Sequence, residues 1–173
     1  MELRKALLDD ISKIMMIISD AQAFLKQQGI DQWQNNYPNL NTITNDIQSD
    51  HGYVLVVDNR ILAYGAIIKG IEPTYNKIDD GAWLNNDPYV VIHRLAVDSA
   101  HRGQKIASCF IAETIKLAQK WDVNNIRIDT HKDNMIMQKM LNNNEFSYCG
   151  IIYLASGDQR LAYQKELDKG NNK

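Results

Sequence analysis

Apolar positions along the chain keep two periods, one helical and one extended, and the alternation between them predicts the elements. Ile11, Ile14, Met15, Ile18 and Leu25 recur at the three- and four-residue spacing of one helix face. Asp9 or Asp10 supplies the N-cap of that helix, and Gly29 ends it. A short strand is predicted over residues 3–6 and a short helix over 42–48. Residues 53–57 and 61–69 are β-branched and aromatic runs separated by Asp58-Asn59-Arg60, the pattern of an antiparallel hairpin. Residues 89–97 have the near-continuous apolar content of a strand at a sheet centre. Helical spacing returns over 105–121 in Ile106, Phe110, Ile111, Leu117 and Ala118. A strand over 125–130 follows, then a helix carrying Met137, Met140 and Leu141 behind an Asp133 or Asn134 cap. Strands over 146–154 and 160–166, joined by Ser156-Gly157-Asp158, close the pattern.

The order β-α-α-β-β-β-α-β-α-β-β places helices over a mixed, mostly antiparallel sheet, an α/β chain of the α+β kind. With 173 residues and 45 % apolar content there is material for one core. Residues 1–168 are therefore expected to form a single domain, with 169–173 as a flexible tail. The formal charge of −2 provides no uniform field toward nucleic acid or an anionic membrane. Cys109 and Cys149 lie in unrelated segments, without metal-ligand spacing, which fits reduced thiols and no metal. Asp9, Asp10 and Lys13 interrupt the apolar stretch behind Arg4 and Lys5, which argues against a signal-peptide core, and no segment has the roughly 20 apolar residues of a membrane span. A cytoplasmic protein without membrane or nucleic-acid partners is expected. The closing strands over 146–166 offer an edge or face for a homodimer.

The chemistry concentrates behind the central strand. In Leu95-Ala96-Val97-Asp98-Ser99-Ala100-His101-Arg102-Gly103-Gln104-Lys105-Ile106-Ala107 a buried strand passes through a polar loop directly into a helix. A helix start has unpaired N–H groups and a positive dipole end, so this junction suits a diphosphate held mainly by backbone. Lys105 at a helix start opposes the dipole, which makes sense where an anion sits.

At this junction the sequence resembles the GNAT acetyltransferases, whose acetyl-CoA signature Arg/Gln-x-x-Gly-x-Gly/Ala is matched by Arg102-Gly103-Gln104-Lys105-Ile106-Ala107. One position departs: the family's central glycine is Lys105. The resemblance extends over nearly the whole chain. It implies the GNAT fold, with a central sheet of about six or seven strands flanked by about four helices, and transfer of an acetyl group from acetyl-CoA to an amine without an acyl-enzyme. Backbone groups of Leu95, Ala96 and Val97 would then hold the pantetheine arm. Asn134 matches the asparagine that family members place at this helix start to bind the cofactor. The family's tyrosine acid falls at Leu141, and its Gly-Phe pair is Glu145-Phe146, so the usual acid is absent.

His93 interrupts the apolar run of the central strand and shares strand parity with Val91, Leu95 and Val97, and histidine is a residue type suited to general-base work, which makes it the first candidate for the base. His131, at the end of the following strand, competes for that role. Trp33, Tyr37, Tyr75 and Trp83 lie in two long loops that resemble the family's acceptor-binding loops, and they predict an aromatic box for a small-molecule or peptide amine. A different reading is a non-catalytic acyl-CoA-binding regulatory domain of the same fold, motivated by Lys105 and Leu141. A doubly wound dinucleotide domain is disfavoured because its three-glycine pattern is missing and the hairpin over 53–69 breaks its strand-helix alternation.

Overall fold

The computed structural model describes residues 1–168, so the expected tail at 169–173 lies outside the described residues. The elements follow the predicted order: β1 (Glu2–Lys5), α1 (Ile11–Gln27), α2 (Leu40–Gln48), β2 (Gly52–Val57), β3 (Arg60–Lys69), β4 (Val90–Val97), α3 (Ile106–Lys120), β5 (Asn125–Thr130), α4 (Met135–Asn143), β6 (Ser147–Tyr153) and β7 (Gln159–Glu166). The strands run β1-β2-β3-β4-β5-β7-β6 in one mixed sheet, with β4 parallel to β5 and the pairs β1/β2, β2/β3, β5/β7 and β6/β7 antiparallel.

Local chemistry explains the boundaries. The β2–β3 hairpin turns through Asp58 (φ 47°) and Asn59 (φ 60°), the two left-handed residues a two-residue hairpin turn requires. Helix α2 starts two residues before the predicted bound because Asn39 accepts the Thr42 N–H at 3.0 Å while its own N–H reaches Thr42 Oγ1. Asp10 stands in the N-cap position of α1 yet makes no capping bond with its side chain. Its carboxylate instead receives both terminal nitrogens of Arg4, at 2.7 and 3.0 Å, and the Leu7 N–H at 2.8 Å. A charge-assisted fork outcompetes a single backbone donor.

The chain divides into two compact units: Met1–Ile67 with His93–Thr114, and Ile68–Ile92 with the chain from Ile115 onward. The first unit packs Ile14, Ile17 and Ile18 of α1 and Ile43 of α2 against Val54, Ile61 and Tyr64 of β2 and β3. The second buries Tyr75, Val91, Ile152 and Ala162, with Trp83 and Tyr89 packed against them. Among the described residues, no helix is long and apolar enough to cross a membrane, and no group of three or more His, Cys, Asp or Glu is placed to hold a metal ion.

In the first unit, Gly65 leaves no room for a side chain: a Cβ there would stand 2.7 Å from Cζ of the fully buried Phe110. Gly65→Ala is expected to destabilise the fold by about 1–3 kcal/mol in urea denaturation, and Gly65→Ala with Phe110→Leu to recover part of that loss; an unchanged midpoint for Gly65→Ala would contradict this packing.

Candidate active site

The loop between β4 and α3 is tied to α1 at several points before it reaches the helix. The Asp98 N–H donates to the Leu62 carbonyl at 2.8 Å. The Asp98 carboxylate pairs with Lys13 of α1, accepts the Ala100 N–H at 3.0 Å and lies 3.2 Å from His101 Nδ1. Burial pushes Asp98 up, but these hydrogen bonds outweigh it and hold the carboxyl below its ordinary 3.8. The stability this carboxylate contributes is therefore present above pH 3.8 and lost as the pH falls through the lower folded value. Ser99 donates to Asp20 Oδ2 at 2.7 Å; Arg102 donates to the Asp20 carbonyl at 3.0 Å and lays its guanidinium 4.5 Å from the centre of the Phe24 ring.

Beyond these ties, Arg102, Gly103, Gln104 and Lys105 are exposed, and Ile106 anchors the first turn of α3 in the core. Gly103 has φ 77° and Lys105 φ 60°, so the chain is turned by two left-handed residues within three positions. A non-glycine residue held there costs roughly 1 kcal/mol. Lys105 thus adopts the conformation that glycine takes most readily, and the departure from the glycine pattern is confined to the side chain. A Cβ at Gly103 would meet nothing within 4 Å, so that glycine is required by its backbone angle and not by space. The Gln104 N–H donates to the His101 carbonyl at 3.3 Å; the rest of this turn's backbone, with the first-turn N–H groups of α3, suits phosphate. The Arg102 side chain is committed to Asp20 and Phe24, leaving its part in such binding to the backbone.

His93 is partly buried in β4. The next residue, Arg94, has φ 57°, which interrupts the pleat. Strand parity therefore groups His93 with Val91, but does not extend through Arg94 to Leu95 and Val97. Arg94 is itself a residue that sequence reasoning passed over, although it interrupts the same apolar run. Its Nε and Nη2 donate to Asp46 at 2.8 and 2.6 Å, and its Nη1 donates to the Tyr37 hydroxyl at 2.7 Å. Asp46 also accepts the Tyr64 hydroxyl at 2.7 Å. His93, Leu95, Ala96, Val97, the 102–107 loop, Trp33 and Tyr37 all belong to the first unit. Trp33, with φ 64°, packs on its core and lines an open cavity of about 190 Å³ with Gln22, Ala23, Lys26, Gln34 and Asn36.

The second unit holds His131, Asn134, Tyr75 and Trp83. His131 Nδ1 accepts the Asp133 N–H at 3.2 Å, so in the neutral ring Nε2 carries the hydrogen. This tautomer makes His131 a hydrogen-bond donor at Nε2. Asn134 caps α4 by accepting the Met137 N–H at 3.1 Å. Leu141 is fully buried, and Glu145, after the end of α4, has φ 63°. Glu145, where the resemblance places a glycine, is thus also left-handed under a larger side chain.

Tyr75 is only 1 % exposed: its ring lies 5.1 Å from Trp83 and 6.3 Å from Tyr89, centre to centre, and its hydroxyl donates to Asp129 at 2.7 Å. Burial, then Asp129, raises its pKa well above 10, so the phenol stays protonated. Trp83 donates to the Tyr75 carbonyl at 2.9 Å and, with Tyr89, sandwiches the Arg127 guanidinium at 4.2 and 4.0 Å. These two rings staple the loop after β3 onto the second unit, and Tyr75 has no surface to offer an acceptor.

A family model described as the acetyltransferase (GNAT) family matches residues 18–146. A GNAT family acetyltransferase from Streptococcus agalactiae aligns at 36 % identity and a TM-score of 0.90, over 97 % of this chain and 96 % of its own. A GNAT family acetyltransferase from Listeria monocytogenes, 24 % identical, gives 0.74 over 96 % and 94 %. A ribosomal-protein-alanine N-acetyltransferase from Brucella melitensis, 17 % identical, gives 0.69 over 96 % and 100 %; these last two likenesses show the fold alone. Among curated proteins, none matches the sequence. The enzyme class that fold and loop define is that of acetyltransferases. The chain belongs to the GNAT family.

If Lys105 and Glu145 are held left-handed, replacing either by glycine relieves strain. Lys105→Gly and Glu145→Gly are each expected to raise stability by up to about 1 kcal/mol in urea denaturation, and Lys105→Val to lower it by at least about 1 kcal/mol. Destabilisation by both glycine variants would contradict the left-handed assignment.

Proposed function

We infer that the protein is an N-acetyltransferase that moves an acetyl group from acetyl-CoA to a primary amine of a small molecule or peptide, by direct attack in a ternary complex. The observation that carries this reading is the 102–107 loop, whose sequence resembles the family's acetyl-CoA signature and whose Lys105 is left-handed where that signature has glycine. The backbone of this exposed turn and the Lys105 ammonium suit the pyrophosphate; the backbone of Leu95, Ala96 and Val97 would take the pantetheine amides; Asn134 is a further candidate contact. The family match over 18–146 spans segments of both units, which supports treating 1–168 as one acetyltransferase domain. The free thiols Cys109 and Cys149 and the near-neutral charge support a cytoplasmic setting without nucleic-acid or membrane partners.

An alkylamine of pKa about 10.4 carries a proton at pH 7, and removing it costs about 4.6 kcal/mol at about 1.36 kcal/mol per unit. His93 is proposed as the base that takes this proton. The neutral nitrogen then attacks the acetyl carbonyl carbon, the C–S bond breaks, the electron pair leaves on sulfur, and the thiolate takes up the second proton that the nitrogen releases as it becomes an amide. With a thiol pKa of about 8.5 the thiolate departs readily, so the loss of a tyrosine acid to the buried Leu141 does not forbid turnover. His131 remains a candidate, through a hydrogen bond donated from Nε2 and not as the base. Trp33 and Tyr37 are the proposed acceptor contacts; Trp83 is left to bracing its loop.

The test is thiol release from acetyl-CoA across a panel of amines, with calorimetry for cofactor binding. The reading expects micromolar acetyl-CoA binding that weakens when the phosphates are removed, and amine-dependent release lowered about 100-fold or more by His93→Ala. Binding without amine-dependent release would favour the non-catalytic acyl-CoA-binding domain, and absence of binding would remove both readings.

A further inference from the structure

We propose that Arg94 and Tyr37 form a carboxylate subsite, and that the amine acceptor is amino-acid-like, carrying a carboxylate near its reacting nitrogen. The inference rests on the acetyltransferase reading above and names the substrate class for it.

Donor counting carries it. A guanidinium has five N–H donors and no acceptor. Arg94 spends two on Asp46 and one on the Tyr37 hydroxyl. Asp46 has three of its roughly four acceptor positions filled, because Oδ1 takes Nη2 while Oδ2 takes both Nε and the Tyr64 hydroxyl, and it is only 7 % exposed. One N–H on Nη1 and one on Nη2 are left over. Tyr37 accepts from a group that has nothing to receive its own proton, so its O–H must point to another partner, and no hydrogen bond from that oxygen is present among the described residues. Three donors are therefore gathered around one 2.7 Å contact without an acceptor in the protein.

The position is reachable from solvent: Tyr37 is 43 % exposed, whereas the Arg94 side chain is 11 % exposed and held rigidly by its fork to Asp46. Half-desolvated donors without partners are costly, and a group offering only lone pairs relieves that cost. An ammonium has no lone pair to offer these donors and a neutral amine has only one, so this corner suits a carboxylate better than the reacting nitrogen. A carboxylate, with about four lone-pair directions in a plane, matches the planar guanidinium edge and leaves room for the phenol. Arg94 directly follows His93 in β4, and Tyr37 shares its loop with Trp33, so the subsite belongs to the same segments as the proposed base and acceptor contacts. Because Asp46 balances the charge of Arg94, selection here works through hydrogen-bond geometry, and a moderate preference is expected.

The experiment compares free α-amino acids with their decarboxylated amines and their carboxamides. Expected is a kcat/KM about tenfold or more higher for the carboxylate-bearing members, and a smaller preference in Tyr37→Phe, read as a raised KM for the amino acid with the KM for acetyl-CoA held. Equal use of the decarboxylated amines, or a preference that Tyr37→Phe leaves untouched, overturns the proposal. Titration of the full chain with the same amino acids, followed at the Arg94 Nε–H resonance, separates the two readings. If no amine is acetylated, the acetyltransferase reading has failed, and the subsite still stands on a shift at Arg94 that the decarboxylated amines do not produce; with no such shift from any amino acid, the subsite falls too.

Discussion

A chain that leaves the end of β4 and enters α3 through an exposed loop must turn sharply, and in this protein two left-handed residues, Gly103 and Lys105, make that turn. The local chemistry of the site depends on it. The strand supplies a rigid approach, and the ties from Asp98 to Lys13, Ser99 to Asp20 and Arg102 to Phe24 hold the loop against α1. The first turn of α3 then adds donors that no helix can satisfy internally. Such a surface is complementary to phosphate whether or not the central residue is glycine, because what the turn needs is an angle. Lysine meets the angle at a cost of roughly 1 kcal/mol and adds a positive charge in the same place.

A second node sits one residue beyond the proposed base. Arg94 leaves the regular strand conformation and joins β4 to Asp46 of α2, to Tyr64 of β3 through that carboxylate, and to Tyr37 of the long loop before α2. A buried ion pair of this kind is weak support for stability, since two charges have lost their water. Its value lies in fixing direction: a two-point fork to Asp46 leaves the remaining guanidinium donors with one orientation. The loop carrying Trp33 and Tyr37 is thereby referred to the strand that carries His93.

Much of the fold was legible because hydrophobic period and turn chemistry agree. The pattern of Ile11 to Leu25, the Asp58-Asn59 turn and the apolar β4 each specify one answer, and residues 125–130 fall on the observed strand. The misses have particular causes. Asp10 was read as a cap because sequence does not show that Arg4 claims its carboxylate. Tyr75 and Trp83 were read as an acceptor box, since an aromatic residue in a long loop looks the same whether it faces a ligand or braces the loop; Arg127, buried between Trp83 and Tyr89, gives the second use. Parity failed past His93 because nothing in the residue type of Arg94 announces a positive φ. Lys105 and Leu141 motivate the non-catalytic reading in the sequence, and only the backbone angle shows that Lys105 is left-handed, the conformation glycine takes most readily.

The account turns on backbone recognition of the cofactor by 102–107, and the most direct test is an amide NMR titration of the protein with coenzyme A and with pantetheine. The account predicts that coenzyme A moves the amides of Gly103, Gln104, Lys105, Ile106 and Ala107 most strongly, and that pantetheine, which lacks the pyrophosphate, leaves them nearly unmoved. Saturable binding of coenzyme A with those five amides unshifted would contradict it.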